Sequence, residues 1–158
     1  MKPATSSAAL RVQGILGDGF NVLEFDESTR TAADAAAAVG CTVAQIAKSM
    51  MFVATPSNRS VLVITSGSNR VDPAKVAALI GESVSRADAD FVREATGYSI
   101  GGVPPLGHRV KPLTLIDADL VPFSEIWAAA GTPNAVFRLT PADLIRLTGG
   151  RVESVAQR

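Results

Sequence analysis

Three consecutive stretches of the chain decide its fold class: KSMMFVA (residues 48–54), TPSNR (55–59) and SVLVITS (60–66). Two apolar runs enclose five turn-forming residues, and this pattern predicts a strand, a turn and a second strand. Side chains alternate between the two faces of a strand, so Lys48 shares the face of Phe52. Because a lysine is costly to bury among apolar groups, Lys48 either lies at a cleft that receives an anion or reaches out to water. The strand alone leaves both interpretations open.

Helical and extended patterns alternate on both sides of this hairpin. Helices are predicted over residues 8–16, 31–39, 72–80, 86–96 and 140–147, with a helical turn over 42–46. Further strands are predicted over residues 20–25, 113–116, 122–129, 135–139 and 152–155. Interspersed helices and hairpin-like strand pairs predict an α+β fold with a mixed, largely antiparallel sheet. The length predicts a single domain over residues 1–158.

The composition limits the classes of partner. Of the 158 residues, 47% are apolar and 19% are charged, which is the balance of an ordinary globular protein. The 15 basic residues match the 15 acidic ones, so any contact with nucleic acid is expected to be small and local. No run approaches the roughly 20 apolar residues of a membrane span. We therefore expect no membrane partner and a cytoplasmic location.

The sequence has one cysteine, Cys41, and one histidine, His108. This excludes an internal disulfide and a Cys-His zinc cluster, and neither a metal nor a cofactor is predicted. Cys41 follows Gly40 at a predicted helix end, where a cysteine is more often a small packing residue than a nucleophile. His108 lies beside Arg109 and Lys111, and the three predict a small basic edge.

The most irregular segment is TGYSIGGVPPLGH (residues 96–108), with four glycines and two adjacent prolines. Glycines let backbone N–H groups approach a ligand, and prolines fix the shape of a loop in advance. Together they suit a loop that offers N–H donors to a carbonyl or an oxyanion. A structural turn between a helix and a strand is the alternative interpretation.

A second polar segment, TSGSNRVD (residues 65–72), leads from the second strand of the hairpin into a predicted helix. It suits binding of a ribose or phosphate, but ordinary turn and capping chemistry accounts for it equally. Four aspartates near predicted element ends are interpreted as helix caps and solvated charges: Asp88, Asp90, Asp117 and Asp119.

Taken in order, Lys48, residues 66–72 and residues 96–107 resemble the YbaK/prolyl-tRNA-synthetase-associated editing domains. The resemblance covers about residues 8–150, which is the predicted core of the domain, and its most specific part is the spacing Gly101-x-x-x-Pro105. It implies a barrel-like sheet surrounded by helices. It also implies hydrolysis of the ester of a mischarged tRNA that carries a small amino acid, with a proline tRNA as the expected carrier. The implied partners are the tRNA acceptor end and an aminoacyl-tRNA synthetase.

The resemblance further implies which residues form the site. Lys48 is expected to contact the terminal adenosine or the aminoacyl end, and the glycine loop around Gly101 and Gly102 is expected to hold the aminoacyl carbonyl. Lys48 and Gly101 are the two catalytic candidates. The substrate-binding candidates are Phe25, Met50, Ser66, Gly67, Ser68, Gly102, Val103, Pro104, Pro105, Gly107 and His108. No side-chain triad is required, because an aminoacyl ester is already activated. A non-catalytic module that binds tRNA or a synthetase is the alternative function.

Cys41→Ser and treatment with a chelator are both expected to leave deacylation of a mischarged tRNA unchanged. The sequence offers Cys41 no activating partner, and it offers zinc no ligand set. Release of a labelled amino acid from the tRNA measures both effects. Slower release after either treatment, with unchanged thermal melting, would indicate a thiol or metal mechanism instead.

Overall fold

The computed structural model describes residues 1–27 and 31–158. Within these residues the chain forms nine strands and five α-helices. The strands are β1 (Lys2–Pro3), β2 (Val22–Glu24), β3 (Ile46–Thr55), β4 (Ser60–Ser66), β5 (Ser83–Arg86), β6 (Leu113–Asp117), β7 (Ile126–Ala129), β8 (Ala135–Leu139) and β9 (Arg151–Glu153). The helices are α1 (Ser7–Leu16), α2 (Ala32–Val39), α3 (Pro73–Ile80), α4 (Ala89–Thr96) and α5 (Pro141–Thr148). None of the described helices is long and apolar enough to cross a membrane.

Capping side chains set where the helices begin. In each of the five described helices a side chain before the first turn accepts a hydrogen bond from a backbone N–H, and these caps are Ser6, Thr31, Asp72, Asp88 and Thr140. The predicted cap at Thr31 is confirmed, because its hydroxyl accepts from the Asp34 N–H at 3.1 Å. The predicted cap at Asp88 is also confirmed, with the Phe91 N–H at 2.8 Å.

One mixed sheet contains the nine described strands, in the order β1-β2-β8-β7-β3-β4-β6-β9, with β5 paired to β3 outside this path. It has five antiparallel and three parallel strand pairs. The predicted α+β class with a mixed, largely antiparallel sheet is confirmed. The predicted hairpin is also confirmed, as β3 and β4 pair antiparallel from Ala47↔Ser66 to Val53↔Ser60.

The other edge of β3 is divided between two strands. Ile46 and Ala47 pair in parallel with β7, whereas residues 52–55 pair antiparallel with β5. No described strand pairs with residues 48–51 on that edge, and we call this interval the β3 gap. The Ala87 N–H donates to the Met51 carbonyl at 3.1 Å and marks one end of the gap. The gap therefore places Lys48 between two paired segments of one strand.

Apolar packing buries both faces of the sheet. All seven residues of β4 are buried, which puts this strand at the centre of the fold. On one face, Val12 of α1 and Leu144 of α5 belong to the same core cluster as Leu62. On the other face, Val76 of α3 shares a cluster with Val61. The hairpin therefore carries the core on both of its faces.

Two strands and the start of α4 differ from the sequence prediction. The two-residue β1 is missing from the prediction, and so is β5, which is mostly exposed and polar. Arg86 was predicted to begin a helix, but it ends β5, and α4 begins at Ala89 after its cap. A short polar strand has no apolar alternation, so only its pairing with β3 reveals it.

Asp117 is a buried charge, and its prediction as a solvated one is wrong. Its side chain is fully buried at the end of β6. One carboxylate oxygen accepts from Thr65 Oγ1 at 3.0 Å, the Ser66 N–H at 3.0 Å and Asn69 Nδ2 at 2.9 Å. The other accepts from the Asp119 N–H at 2.9 Å, so the predicted capping role holds. Asp117 thereby fastens the end of β4 to the end of β6.

We expect Asp117→Ala to lower the free energy of unfolding by about 3 kcal/mol, because several buried donors lose their acceptor together. Asp119→Ala is the matched control. Its side chain is 40% exposed, so removing its bonds to Arg158 and to Asn69, which keeps its bond to Asp117, should cost about 1 kcal/mol or less. Urea unfolding of both variants measures the difference. Equal losses would contradict the role assigned to Asp117.

Candidate active site

A cavity of about 230 Å³ opens at the β3 gap. β3 lines it with residues 46–51, and the other walls come from α2, β7 and the loop that contains Gly101. Typical small-molecule sites measure about 300–1,000 Å³. The cavity is therefore suited to a small group, such as one amino acid side chain, and not to a whole nucleotide.

Small apolar side chains create this cavity. Seven alanines line it: Ala32, Ala35, Ala47, Ala87, Ala128, Ala129 and Ala135. Larger lining residues, Ile46, Trp127 and Val136, belong to one buried cluster with Ala35 and Phe25. Close packing within this cluster keeps the wall in place. No carboxylate occurs among the lining residues that the structure describes, so a cationic side chain would find no counter-ion there.

Lys48 is half-buried where β3 passes the cavity. Its Nζ lies 3.5 Å from the Asn69 carbonyl oxygen. Burial, followed by the positive charges of Arg70 and Arg86, holds the pKa of Lys48 below its usual value. An ammonium that is partly desolvated and close to other cations gains most from an anionic partner. The interpretation of Lys48 as a cleft residue is therefore favoured by its position.

Ser49 contributes polar groups to the cavity. Its Oγ is buried and has no hydrogen-bond partner among the described residues. The Ile46 carbonyl accepts from Gly67 on the β4 side, whereas the Met51 carbonyl accepts from Ala87 on the opposite side. Because peptide groups alternate along a strand, those of Ser49 point the same way as those of Met51, into the β3 gap. Ser49 thus offers backbone groups to an occupant, whereas its hydroxyl is buried.

The loop of residues 96–108 closes the cavity on another side. Ile100, Gly101 and Val103 line the cavity. Gly101 is exposed and has a φ of 96°, a backbone conformation that favours glycine. No acceptor lies within hydrogen-bond distance of the Gly101 N–H among the described residues, so this donor is available to a ligand.

Gly102 makes backbone contacts that position the loop. Its N–H already donates to the Ser99 carbonyl at 3.0 Å, and its carbonyl accepts from the Gly131 N–H at 2.8 Å. A Cβ at Gly102 would lie 2.7 Å from the Thr132 Cα, so glycine is required for this close backbone approach. Gly102 lies outside the cavity lining and fastens the loop to the segment after β7.

The sequence profile of the aminoacyl-tRNA editing domain matches residues 26–147. The chain belongs to the aminoacyl-tRNA editing domain family. The matched span contains Lys48, every lining residue of the cavity and the loop of residues 96–108. The resemblance to the YbaK/prolyl-tRNA-synthetase-associated domains is confirmed.

Three similar proteins match this chain over most of its length. YwhH of Bacillus subtilis (strain 168), which is uncharacterised, is 30% identical over 132 residues, covering 84% of this chain and 83% of YwhH. A solved structure described as a candidate trans-editing enzyme for prolyl tRNA synthetase is 45% identical, with a TM-score of 0.93, covering 98% of this chain and 100% of that chain. The solved structure of the hypothetical protein APE2540 is 27% identical, with a TM-score of 0.83, covering 94% and 97%.

Ser66, Gly67 and Ser68 lie outside the cavity lining of the editing domain. The Ser66 hydroxyl donates to the Ala44 carbonyl at 2.7 Å. The Gly67 N–H donates to the Ile46 carbonyl at 2.8 Å, and a Cβ on Gly67 would lie 2.5 Å from the Val43 carbonyl oxygen. These contacts fasten the start of β3, which carries Lys48. Direct substrate binding by the three residues stays a prediction.

The other candidates divide into lining and supporting residues. Met50 and Val103 line the cavity together with Lys48 and Gly101, whereas Phe25 lies in the cluster behind its wall. The remaining candidates, Pro104, Pro105, Gly107 and His108, are outside the lining. For this second group, contact with substrate stays a prediction.

The His108 side chain forms a hydrogen bond within the loop of residues 96–108. Its Nε2 lies 2.6 Å from the Pro104 carbonyl oxygen, which can only accept, so Nε2 carries the hydrogen. Burial lowers the pKa of His108, and the bond to Pro104 opposes this in part. A neutral imidazole at pH 7 follows, which removes its charge from the predicted basic edge.

Several lining residues have no sequence signal of their own. Ser49 and Trp127 look like ordinary members of apolar strands, and Arg86 looks like the start of a helix. The alanine-rich stretch 31–39 predicts a helix, and nothing in it indicates that it lines a cavity. A concentration of alanines is the one available hint, because a wall of small side chains leaves space.

We expect Gly101→Ala to slow the single-turnover deacylation by about tenfold or more while the Kd for tRNA stays within about twofold. A Cβ on Gly101 has space, because its nearest neighbour is Pro133 Cγ at 3.8 Å. An alanine rarely adopts a φ of 96°, however, so the backbone is expected to rotate and turn the N–H away from the substrate. In Gly102→Ala the clash with Thr132 should reduce thermal stability as well as the rate. A wild-type rate in Gly101→Ala would remove its N–H from the mechanism.

Proposed function

We propose that this editing domain hydrolyses, in trans, the ester bond of a mischarged aminoacyl-tRNA that carries a small, uncharged amino acid. The observation that carries the proposal is the apolar cavity of about 230 Å³ between Lys48 and the Gly101 loop. An amino acid side chain fits inside it, and the ester and terminal ribose then lie at its opening. Membership of the editing family supplies the reaction type.

The proposed reaction needs no side-chain nucleophile. Water adds to the acyl carbon, the bond to the ribose oxygen breaks, and that oxygen takes a proton, which releases the amino acid and the free tRNA. The Lys48 ammonium and the Gly101 N–H stabilise the negative charge that develops on the carbonyl oxygen. The backbone groups of Ser49, which point into the β3 gap, are placed to bind the α-amino group.

Cys41 takes no part in this reaction. Its Sγ donates to the Thr42 carbonyl at 3.3 Å, and its side chain packs against the cluster that contains Trp127. Burial raises the pKa of the Cys41 thiol, so the nucleophilic thiolate is disfavoured. Cys41 also lies outside the cavity lining.

The size and polarity of the cavity support a small amino acid. Alanine, serine, cysteine, threonine and proline have side chains that fit between the alanine walls, and they are the proposed substrates. Lysine would bring a positive charge into a cavity that has no carboxylate among its described lining residues, at a high desolvation cost.

A proline tRNA is the proposed carrier, and its acceptor end is the proposed partner. Support comes from the 45% identity to the structure described as a candidate trans-editing enzyme for prolyl tRNA synthetase. A prolyl-tRNA synthetase is proposed as a second partner on the same ground. Both proposals place the protein in the cytoplasm, where such tRNAs are charged.

A module that binds tRNA without hydrolysing it is the second candidate function. Such a module would need the positive charges around the site, but it would need neither a free Gly101 N–H nor an apolar cavity beside it. The presence of both favours the enzyme. Incubation with a panel of mischarged tRNAs separates the two, since only the enzyme releases the amino acid.

Lys48→Ala should reduce deacylation by roughly a hundredfold or more, because the cation at the ester is lost. Lys2→Ala is the matched control: its side chain is 55% exposed and pairs with Asp26 at 3.8 Å, and its rate should equal that of wild type. Single-turnover release of labelled alanine from alanyl-tRNA specific for proline measures both. Near-normal release by folded Lys48→Ala, or a wild-type preference for phenylalanyl-tRNA, would contradict the proposed site.

A further inference from the structure

A second concave surface adjoins the cavity. It has a volume of about 420 Å³, and its lining includes Lys48, Arg70, Arg86 and Gln157. We call it the basic groove. Lys48, Met50 and Arg86 line both the cavity and the basic groove, so one extended ligand can occupy both by passing Lys48.

The basic groove carries uncompensated positive charge. Three of its lining residues are cations, and none of its described lining residues is a carboxylate. Arg70 and Arg86 are exposed and form no ion pair with a described residue. Four other arginines, by contrast, are paired with acidic side chains: Arg93, Arg138, Arg146 and Arg158. Clustered cations without counter-ions repel one another, so an anion gains binding energy from all three.

The chain itself holds one side of the groove. The Gln157 N–H donates to the Arg70 carbonyl at 2.8 Å, and the Asp72 N–H donates to the Val155 carbonyl at 2.7 Å. Arg86 belongs to β5, which is paired to β3. The backbones of both arginines are therefore fixed, and only their side chains must adjust to a ligand.

We propose that the basic groove is a phosphate subsite, in which Arg70 and Arg86 bind a backbone phosphate of the last nucleotides of the tRNA while the amino acid occupies the cavity. This inference rests on the proposed function. A guanidinium matches phosphate through two parallel hydrogen bonds, which suits arginine for this task. The subsite also explains how a chain with zero net charge binds RNA: it concentrates cations at one place.

The groove replaces the basic edge predicted at residues 108–111. His108 donates to Pro104 and is neutral there. The Arg109 guanidinium lies 3.5 Å from the Glu94 carbonyl oxygen, and its backbone N–H is bonded to Thr96. That edge therefore has fewer available cationic groups than the basic groove.

Binding of an RNA minihelix that ends in CCA and carries no amino acid tests the subsite without any catalysis. Arg70→Ala and Arg86→Ala should each raise its Kd about tenfold. Each should also reduce the slope of log Kd against log salt by about 0.7 for one lost phosphate contact. Arg59→Ala removes an exposed arginine in the β3–β4 turn and is the matched control, with no change expected. Thermal melting confirms that the variants fold.

A phosphate-free ester, alanyl-adenosine, distinguishes phosphate binding from a role at the ester. The loss caused by Arg70→Ala should be about tenfold larger on alanyl-tRNA than on alanyl-adenosine. Unchanged Kd and salt slope in both variants would overturn the inference, and so would equal losses on the two esters. Absence of hydrolysis in wild type would instead overturn the proposed function, while the minihelix measurement would still decide the subsite.

Discussion

The structure depends on how β3 satisfies its backbone hydrogen bonds. One edge of this strand is paired continuously with β4, whereas the other edge is divided between β7 and β5. Unpaired backbone groups in a protein interior are costly, so the gap persists because it faces a cavity rather than packed side chains. The same interruption determines three further features: the space for an amino acid, the position of Lys48 at its opening, and the placement of Arg86 in the neighbouring groove.

Contacts on the β4 side of β3 hold the β3 gap in position. Asp117 fixes the amide of Asn69, and the carbonyl of Asn69 lies beside the Lys48 ammonium. Gly67 fixes the first residue of β3 through its bond to Ile46. The proposed site relies on one ammonium and one backbone N–H. A displacement of either group would therefore weaken the proposed stabilisation of the carbonyl oxygen. Rigid strands and buried polar contacts supply that accuracy here.

Local signals predicted most of the fold. The hairpin followed from its two apolar runs, and the helices followed from caps such as Thr31 and from glycines at their ends. The parallel pairing of β3 with β7 joins residues 81 positions apart in sequence, such as Ile46 and Trp127, and no local pattern encodes it. Lys48 is visible in the sequence as a cation on an apolar face, whereas Trp127, Ser49 and Arg86 reach the site only through the pairing of β3 with β7 and with β5. Asp117 shows the same limit, because its donors come from another strand.

A cavity bounded by alanines acts as a sieve with an upper size limit and no lower one. One missing methylene changes binding by only about 1–3 kcal/mol, so anything smaller than the largest fitting amino acid is also admitted. Discrimination among small amino acids must then come from the nucleic acid or from the polar groups at the opening. Replacing any one of the seven alanines by a larger residue would lower the limit by a step and leave Lys48 untouched. Under the proposed function, a substitution in the alanine wall therefore changes the size of the accepted amino acid without changing the groups that act on the ester.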